Sequence, residues 1–323
     1  MSLQYAAVAP AAIYIHELNE YQFLDETYEM LQFGLVENGM DLLVPKLHDL
    51  YASTSTSEWT ELVNQVLLAH PLKNLLMQDP LTTRSFRQPR GYAGDAALLD
   101  MVYYFGSHDK KEISELGRKL FRYTTHTPLS LTLCKRMRLL TDYIDKSAEE
   151  MDSPRVLSVA SGHCREATRS QALQNNRVSR FVALDHDAKS LRKMNELHSH
   201  LNLEAVPLSV SDIVKGKSDI GEFDLIYSAG LYDYLSKRFA QKLTSRLYSM
   251  LAPGGKLVLC NIATNYYEVG YLESYMNWQM IGRDKSDVLE FAADLEGGEQ
   301  AIIRVKETSE IQSHFNILEI EKF

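Results

Sequence analysis

Apolar positions change their period about halfway along the chain. In the first half they recur at helical spacing. "STSTSEWTELVNQVLLAH" opens with capping residues and then sets Trp59, Leu62, Val63, Val66 and Leu67 on one helical face. Pro71 ends that helix, and "PLKNLLMQD" restarts one with proline in its first turn. "KEISELGRKLFRYT" and "TPLSLTLCKRMRLLTDYI" read as two more helices, the second with Thr127 as N-cap and Pro128 at the first helical position. "RSFRQPRGYAGDAALLDMVYYFG" carries a loop at Gln88 to Asp95.

From Pro154 short β-rich runs alternate with helical or loop segments: "RVLSVAS", "RFVALDHD", "AVPLSVSD", "FDLIYSAG" and "KLVLCNIA". That rhythm predicts a parallel sheet with helices on both faces. "APGGKLVLCN" reads as a Pro-Gly-Gly turn into the fifth strand, and "AIIRVKETSEIQSHFNILEIEK" as a terminal antiparallel hairpin. No internal repeat or low-complexity tract interrupts the pattern. The economical division is a helical part over residues 1–150 and one α/β domain over 151–323.

The stretch "RVLSVASGHCREATRS" predicts a strand, a glycine turn and a helix, the opening of a Rossmann-type nucleotide unit. The positions where a dinucleotide fold repeats glycine hold Ala160, Gly162 and Cys164. A pyrophosphate would sit poorly on one glycine. S-adenosylmethionine carries no phosphate, and one close-approach glycine suffices for its amino-acid end. Asp185 closes the second strand, placed to accept from both ribose hydroxyls, while Asp187 is the better cap for the following helix. Asp212 ends the third run, where a carboxylate can accept from an adenine amino group. The fourth runs into Gly230-Leu231-Tyr232 at the carboxyl edge, where open α/β sheets bind ligands.

In this order, "VLSVASGHCREA", "ALDHD", "FDLIYSAGLYDYL" and "LAPGGKLVLCN" resemble a class I S-adenosylmethionine-dependent methyltransferase. The resemblance implies a Rossmann-like seven-stranded sheet whose last strand is antiparallel, joined to a helical N-terminal domain. It also implies cofactor contacts at Ala160, Ser161, Gly162, Asp185, His186, Ser211, Asp212, Ser228, Ala229 and Gly230. The chain departs from the family at Ala160 and Cys164, which replace glycines, and at Ser158, which replaces a frequent acid. "RQPRGYAGD", "SGHCRE", "AGLYDYL" and "YLESYMNWQMIGR" are similar to bacterial methyltransferases assigned to 3-hydroxypalmitic acid methyl ester synthesis, which implies carboxyl O-methylation of a hydroxy fatty acid. The alternatives are N- or O-methylation of another metabolite, a non-catalytic protein that binds the cofactor, and a nicotinamide-dependent oxidoreductase, which the missing glycines disfavour.

Methyl transfer from a sulfonium needs alignment and dryness more than acid–base chemistry. Tyr92, His126, Tyr232 and Arg283 are the expected catalytic groups, with Arg90, Asp95 and Tyr234 beside them. Tyr266, Tyr267, Tyr271, Tyr275 and Trp278 would wall an acceptor pocket. "HELNE", His16 to Glu20, lacks the second histidine of a zinc site, and His198 and His200 read as solvent-facing, so no metal is expected.

Charge and composition narrow the partners. A net charge of −9 with no long basic run speaks against a nucleic-acid surface. No apolar run is long enough to span a membrane, and the N-terminus lacks the basic region of a secretory signal. Cys134, Cys164 and Cys260 are too few for a disulfide framework, so the reading is a cytoplasmic protein acting on a small molecule, with a homodimer left open.

Overall fold

Strands form where the chain is apolar on both faces, because such segments are stable only between two helical layers. β1 (Arg155–Val159) and β2 (Arg180–Asp185) are buried after their first residue. β3 (Leu203–Pro207) is half-exposed, as an edge strand can be. β4 (Phe223–Ser228) and β5 (Leu251–Ile262) are again largely buried. β6 (Ile302–Glu307) forms the other edge, and β7 (Phe315–Glu321) is buried between β5 and β6. This computed structural model describes residues 21–104, 113–217, 219–308 and 315–323; the "HELNE" segment lies outside them.

The sheet order is β3-β2-β1-β4-β5-β7-β6. β1 to β5 run parallel, and β7 is antiparallel to both β5 and β6. The expected seven-stranded sheet with an antiparallel last strand is therefore present. Strand order reverses between β1 and β4, so their carboxyl ends open a crevice where ligands bind in this class of sheet. The core on one face gathers Leu157, Val182, Ile226, Leu243, Leu257 and Leu318.

Several local readings change. The Pro253-Gly254-Gly255 turn lies inside β5, where the pairing with β4 slips between Phe223–Leu251 and Leu225–Lys256. The third strand stops at Pro207, and Ser209 caps a short helix, Val210–Val214, through the Asp212 N–H. After β1 the expected helix is reduced to a 3-10 turn, Arg165–Thr168, and one helical turn, Gln171–Gln174. Ser170 caps that second turn, and its hydroxyl donates to Asp145 at 2.5 Å, which breaks the helix in two.

Elsewhere the expected caps are present. Thr127 caps Pro128–Glu150, and Asp187 caps Ala188–Leu197. Ser55 and Glu58 form a reciprocal capping box on Thr56–Leu62. A wider π turn, Val63–Leu67, follows it and shifts the phase, so Leu67 is buried while Val63 and Val66 are only half-buried.

Two compact units emerge, and they do not follow one cut along the chain. Among the described residues, one holds 21–86, 113–124 and 268–277. It is helical, with Asp79 buried at the N-terminus of Pro80–Arg87 and accepting from the Thr82 and Thr124 hydroxyls. The other holds 87–104, 125–267 and 278–323, and contains the whole sheet together with the helices Ala96–Tyr103 and Pro128–Glu150. No described helix is long and apolar enough to cross a membrane.

Candidate functional site

The site is built within the sheet unit, beginning where β1 ends. Ala160, Gly162 and Cys164 all adopt left-handed backbone, with φ of 54°, 56° and 51°. Only glycine takes that shape freely, so Ala160 and Cys164 each carry strain of about 1 kcal/mol or more. The turn is held by Ser161 N–H to the Leu184 carbonyl (3.0 Å) and Cys164 N–H to the Ser161 carbonyl (2.9 Å). At Gly162 a side chain would also be crowded: a Cβ would lie 3.0 Å from that of Ala96.

Asp185 joins the ends of β1 and β2. One carboxylate oxygen accepts from Gly162 N–H and the other from Asp187 N–H, both at 2.8 Å. Each oxygen keeps a second lone pair for a ligand hydroxyl. Exposed His186 sits beside it, with Nδ1 3.4 Å from Asp185 Oδ1.

The Gln88–Asp95 loop lies on this edge. Arg90 pairs with Asp187 and donates to Ser190 Oγ. The Tyr92 ring stands 5.8 Å from that of His186. Burial pushes the Tyr92 hydroxyl well above its ordinary range, and the charges of Asp185, Asp187 and Asp95 push the same way. Gly94, with φ of 66°, is required: a Cβ there would lie 2.7 Å from the Trp278 ring. Asp95 caps Ala96–Tyr103 by accepting from Leu98 N–H.

Behind the turn is a group the sequence reading did not single out. His163 Nδ1 is 2.8 Å from Asp100, and Arg165 donates twice to the same carboxylate at 2.6 Å. Burial opposes the Asp100 charge, but the bonds from His163 and Arg165 outweigh it and hold the carboxyl below its usual range. The expectation that His198 faces solvent is corrected: it is 2% exposed and its Nε2 bonds to the His163 carbonyl at 3.0 Å. Helix Ala188–Leu197 ends just before it and turns it inward. Three atoms here, Ser161 Oγ, His163 Nε2 and His198 Nδ1, are buried without a partner among the described residues.

The loop after β4 differs. Ser228 Oγ donates to the Val159 carbonyl at 3.0 Å, so this expected cofactor residue ties β4 to β1. Ala229 and Gly230 remain half-buried at the edge, and the Arg136 guanidinium packs against Gly230. Tyr232, expected to be catalytic, is fully buried, with its hydroxyl 3.0 Å from Thr244 Oγ1 and its ring against Phe291. Arg283 is also buried and clamps the Tyr232 and Leu235 carbonyls and Asn261 Oδ1. Both spend their polar atoms on the protein. Asp233 accepts from Ile262 N–H at 2.6 Å and lies 3.7 Å from Arg136. Burial drives its carboxyl up to about 7 against the pull of Arg136.

The remaining expected residues are scattered. Ser211 lies in the first turn of Val210–Val214, and Asp212 is engaged by Ser209 Oγ and Lys217. His126 is exposed beside Thr125. Tyr271 and Tyr275 are corrected from pocket walls to core of the helical unit, bonding Thr82 and the Leu67 carbonyl. Trp278 belongs to the sheet unit and donates to the Tyr234 hydroxyl at 2.7 Å. No cluster of metal-ligating side chains occurs among the described residues. Arg136 was missed because it sits in a long amphipathic helix, and Asp100 because the apolar run around it gives no sign of a partner far along the chain.

Residues 156–255 match a family model described as a methyltransferase domain. No curated protein is similar enough in sequence to match the chain. Among solved structures, a possible exported protein from Bordetella parapertussis aligns with a TM-score of 0.60 and 13% identity, covering 98% of this chain and 99% of its own. Magnesium protoporphyrin IX methyltransferase from Synechocystis aligns over 61% of this chain and 88% of its own, with 13% identity and a TM-score of 0.46. The N-methyltransferase NodS from Bradyrhizobium japonicum covers 58% and 97%, with 11% identity and a TM-score of 0.42. Strand order, the antiparallel seventh strand and the matched segment together give this chain the methyltransferase fold.

Proposed function

We propose that the chain is an S-adenosylmethionine-dependent methyltransferase acting on a small molecule. One observation carries the choice of nucleotide: Gly162 N–H, the amide a pyrophosphate would need, is already bonded to the Asp185 carboxylate. A buried carboxylate there repels phosphate but accepts ribose hydroxyls. The left-handed turn at Ala160 to Cys164 and the unpartnered Ser161 hydroxyl fit the uncharged and zwitterionic parts of such a cofactor.

When bound, the sulfonium supplies an activated methyl group for in-line displacement. The protein's share is alignment and exclusion of water. Asp185 would orient the ribose, Ala229 and Gly230 would line the transfer edge, and Tyr92 with the Gln88–Asp95 loop would cover the bound cofactor beside His186. Tyr92 remains protonated at neutral pH and acts as a hydrogen-bond donor rather than a base. Carboxyl O-methylation of a hydroxy fatty acid is the acceptor reading, supported by the motif resemblance alone. The three free cysteines support a reducing, cytoplasmic setting.

A second reading, a cofactor-binding protein without turnover, draws on the structural use of Tyr232 and Arg283. Calorimetric titration with S-adenosylmethionine, its demethylated product and NAD tests both. Binding of the first two, lost in Asp185→Ala, supports the cofactor. NAD binding alone refutes it, and turnover with hydroxy fatty acids separates enzyme from binder.

A further inference from the structure

We propose that Arg136 holds the carboxylate of the methyl acceptor, gripping both of its oxygens beside Gly230. This rests on the methyltransferase reading above and adds the residue that selects an acid as acceptor. Arg136 stands in the helix Pro128–Glu150, is 4% exposed, and lays its guanidinium 4.6 Å from the centre of the Phe315 ring. Arginine stays charged even when buried, so it needs anionic company. The Asp233 carboxyl stands 3.7 Å away, beyond hydrogen-bond reach, and gives its other oxygen to Ile262 N–H. Glu166, a second carboxyl within range of the charge, accepts from the Tyr227 hydroxyl at 2.6 Å. Burial drives both carboxyls towards their neutral forms. Tyr103 bonds the guanidinium but brings no charge, since burial keeps its hydroxyl protonated. Arg136 Nε has no partner among the described residues.

The fork has an open end. A Cβ on Gly230 would lie 3.2 and 3.3 Å from the two amino nitrogens and 3.6 Å from the carbon between them. A point over the guanidinium face would be nearer the carbon than the nitrogens. This one therefore lies off the end of the fork, where a carboxylate makes a bidentate pair. The Gly230 backbone is not left-handed, so its conformation asks for no glycine; the space in front of the fork does. That space belongs to the transfer edge. Ser228, two residues earlier, is fixed to the carbonyl of Val159, the residue before the left-handed turn. Further along, the Tyr234 hydroxyl accepts from Trp278, and both crowd Gly94 of the loop that carries Tyr92. A carboxylate in the fork keeps a free lone pair on each oxygen. One such pair attacks the methyl carbon, the carbon–sulfur bond breaks, and its electrons leave with sulfur as a neutral thioether. The ester that forms carries no charge for Arg136 to hold, which favours its release.

The test is ligand-observed NMR on the full chain with acetate, the carboxylate group alone, and acetamide, its neutral counterpart, each with and without S-adenosylhomocysteine. Wild-type protein should bind acetate with about millimolar affinity and acetamide at least about ten-fold more weakly. Gly230→Ala sets a methyl group at the open end, and Arg136→Lys keeps the charge but loses the fork. Each should weaken acetate by about ten-fold while S-adenosylhomocysteine affinity holds. Equal binding of acetate and acetamide by the wild type, a measurement that needs no variant to fold, overturns the proposal. Acetate binding that survives Gly230→Ala is binding at surface cations and overturns it too. An Arg136 that serves only as framework would lower the melting temperature of Arg136→Lys and leave acetate binding unmoved. If acetate binds selectively but S-adenosylhomocysteine does not bind at all, the methyltransferase reading falls, and the acceptor role with it.

Discussion

The turns after β1 and after β4 stand side by side at one sheet edge, yet they treat their polar groups in opposite ways. After β4, Tyr232, Asp233 and Arg283 spend their polar atoms on neighbouring protein: Thr244, Ile262 N–H, and the carbonyls of Tyr232 and Leu235. After β1, the backbone is tied down by Asp185 and Leu184 while Ser161 and His163 keep polar atoms in reserve. Satisfied polar groups specify a shape, and unsatisfied buried ones call for a further partner, water or ligand. Residue type alone does not separate the two: a tyrosine and an arginine became framework, and a serine and a histidine stayed open.

The largest effect should come from breaking the β4 turn. Arg283→Ala strands two backbone carbonyls and the Asn261 oxygen, and should cost about 3–5 kcal/mol in urea denaturation. A loss below about 1 kcal/mol would mean the clamp is not framework.

pH probes the same turn. Burial raises Asp233 from 3.8 to about 7. The folded state therefore holds that proton more tightly than the unfolded chain does. The stability it contributes is complete below pH 3.8 and is lost as pH rises through about 7. Wild-type melting temperature should fall relative to Asp233→Asn across that window, and parallel curves would remove the carboxyl from the account.

Ser228→Ala and Ser161→Ala sharpen the contrast at smaller scale. The first loses a bond to Val159 and should destabilise by about 1 kcal/mol; the second should leave denaturation unchanged. Equal losses would erase the distinction between the two turns. The smallest effect is a gain: Ala160→Gly relieves left-handed strain and should stabilise by about 0.5 kcal/mol after the entropy cost of glycine, measured by thermal unfolding.

Much of the fold was legible in the sequence. Val156 to Val159, Phe181 to Leu184 and Leu225 to Tyr227 announce buried strands by being apolar but for Ser158, and Thr127, Asp187 and Ser55 announce helix starts. These are local signals, each decided by residues within a few positions, and the strand-by-strand order carried Gly162 and Asp185 to the same edge.

The sequence by itself therefore determined the elements, their order and the acid at the end of β2, because period and capping are short-range physics. The tertiary structure alone decided which polar groups are spent and which are free. His163 meets Asp100 across 63 positions, and Arg283 meets Tyr232 across 51. No local pattern encodes such meetings; they arise when the packed sheet and its helices bring distant side chains to within hydrogen-bonding distance.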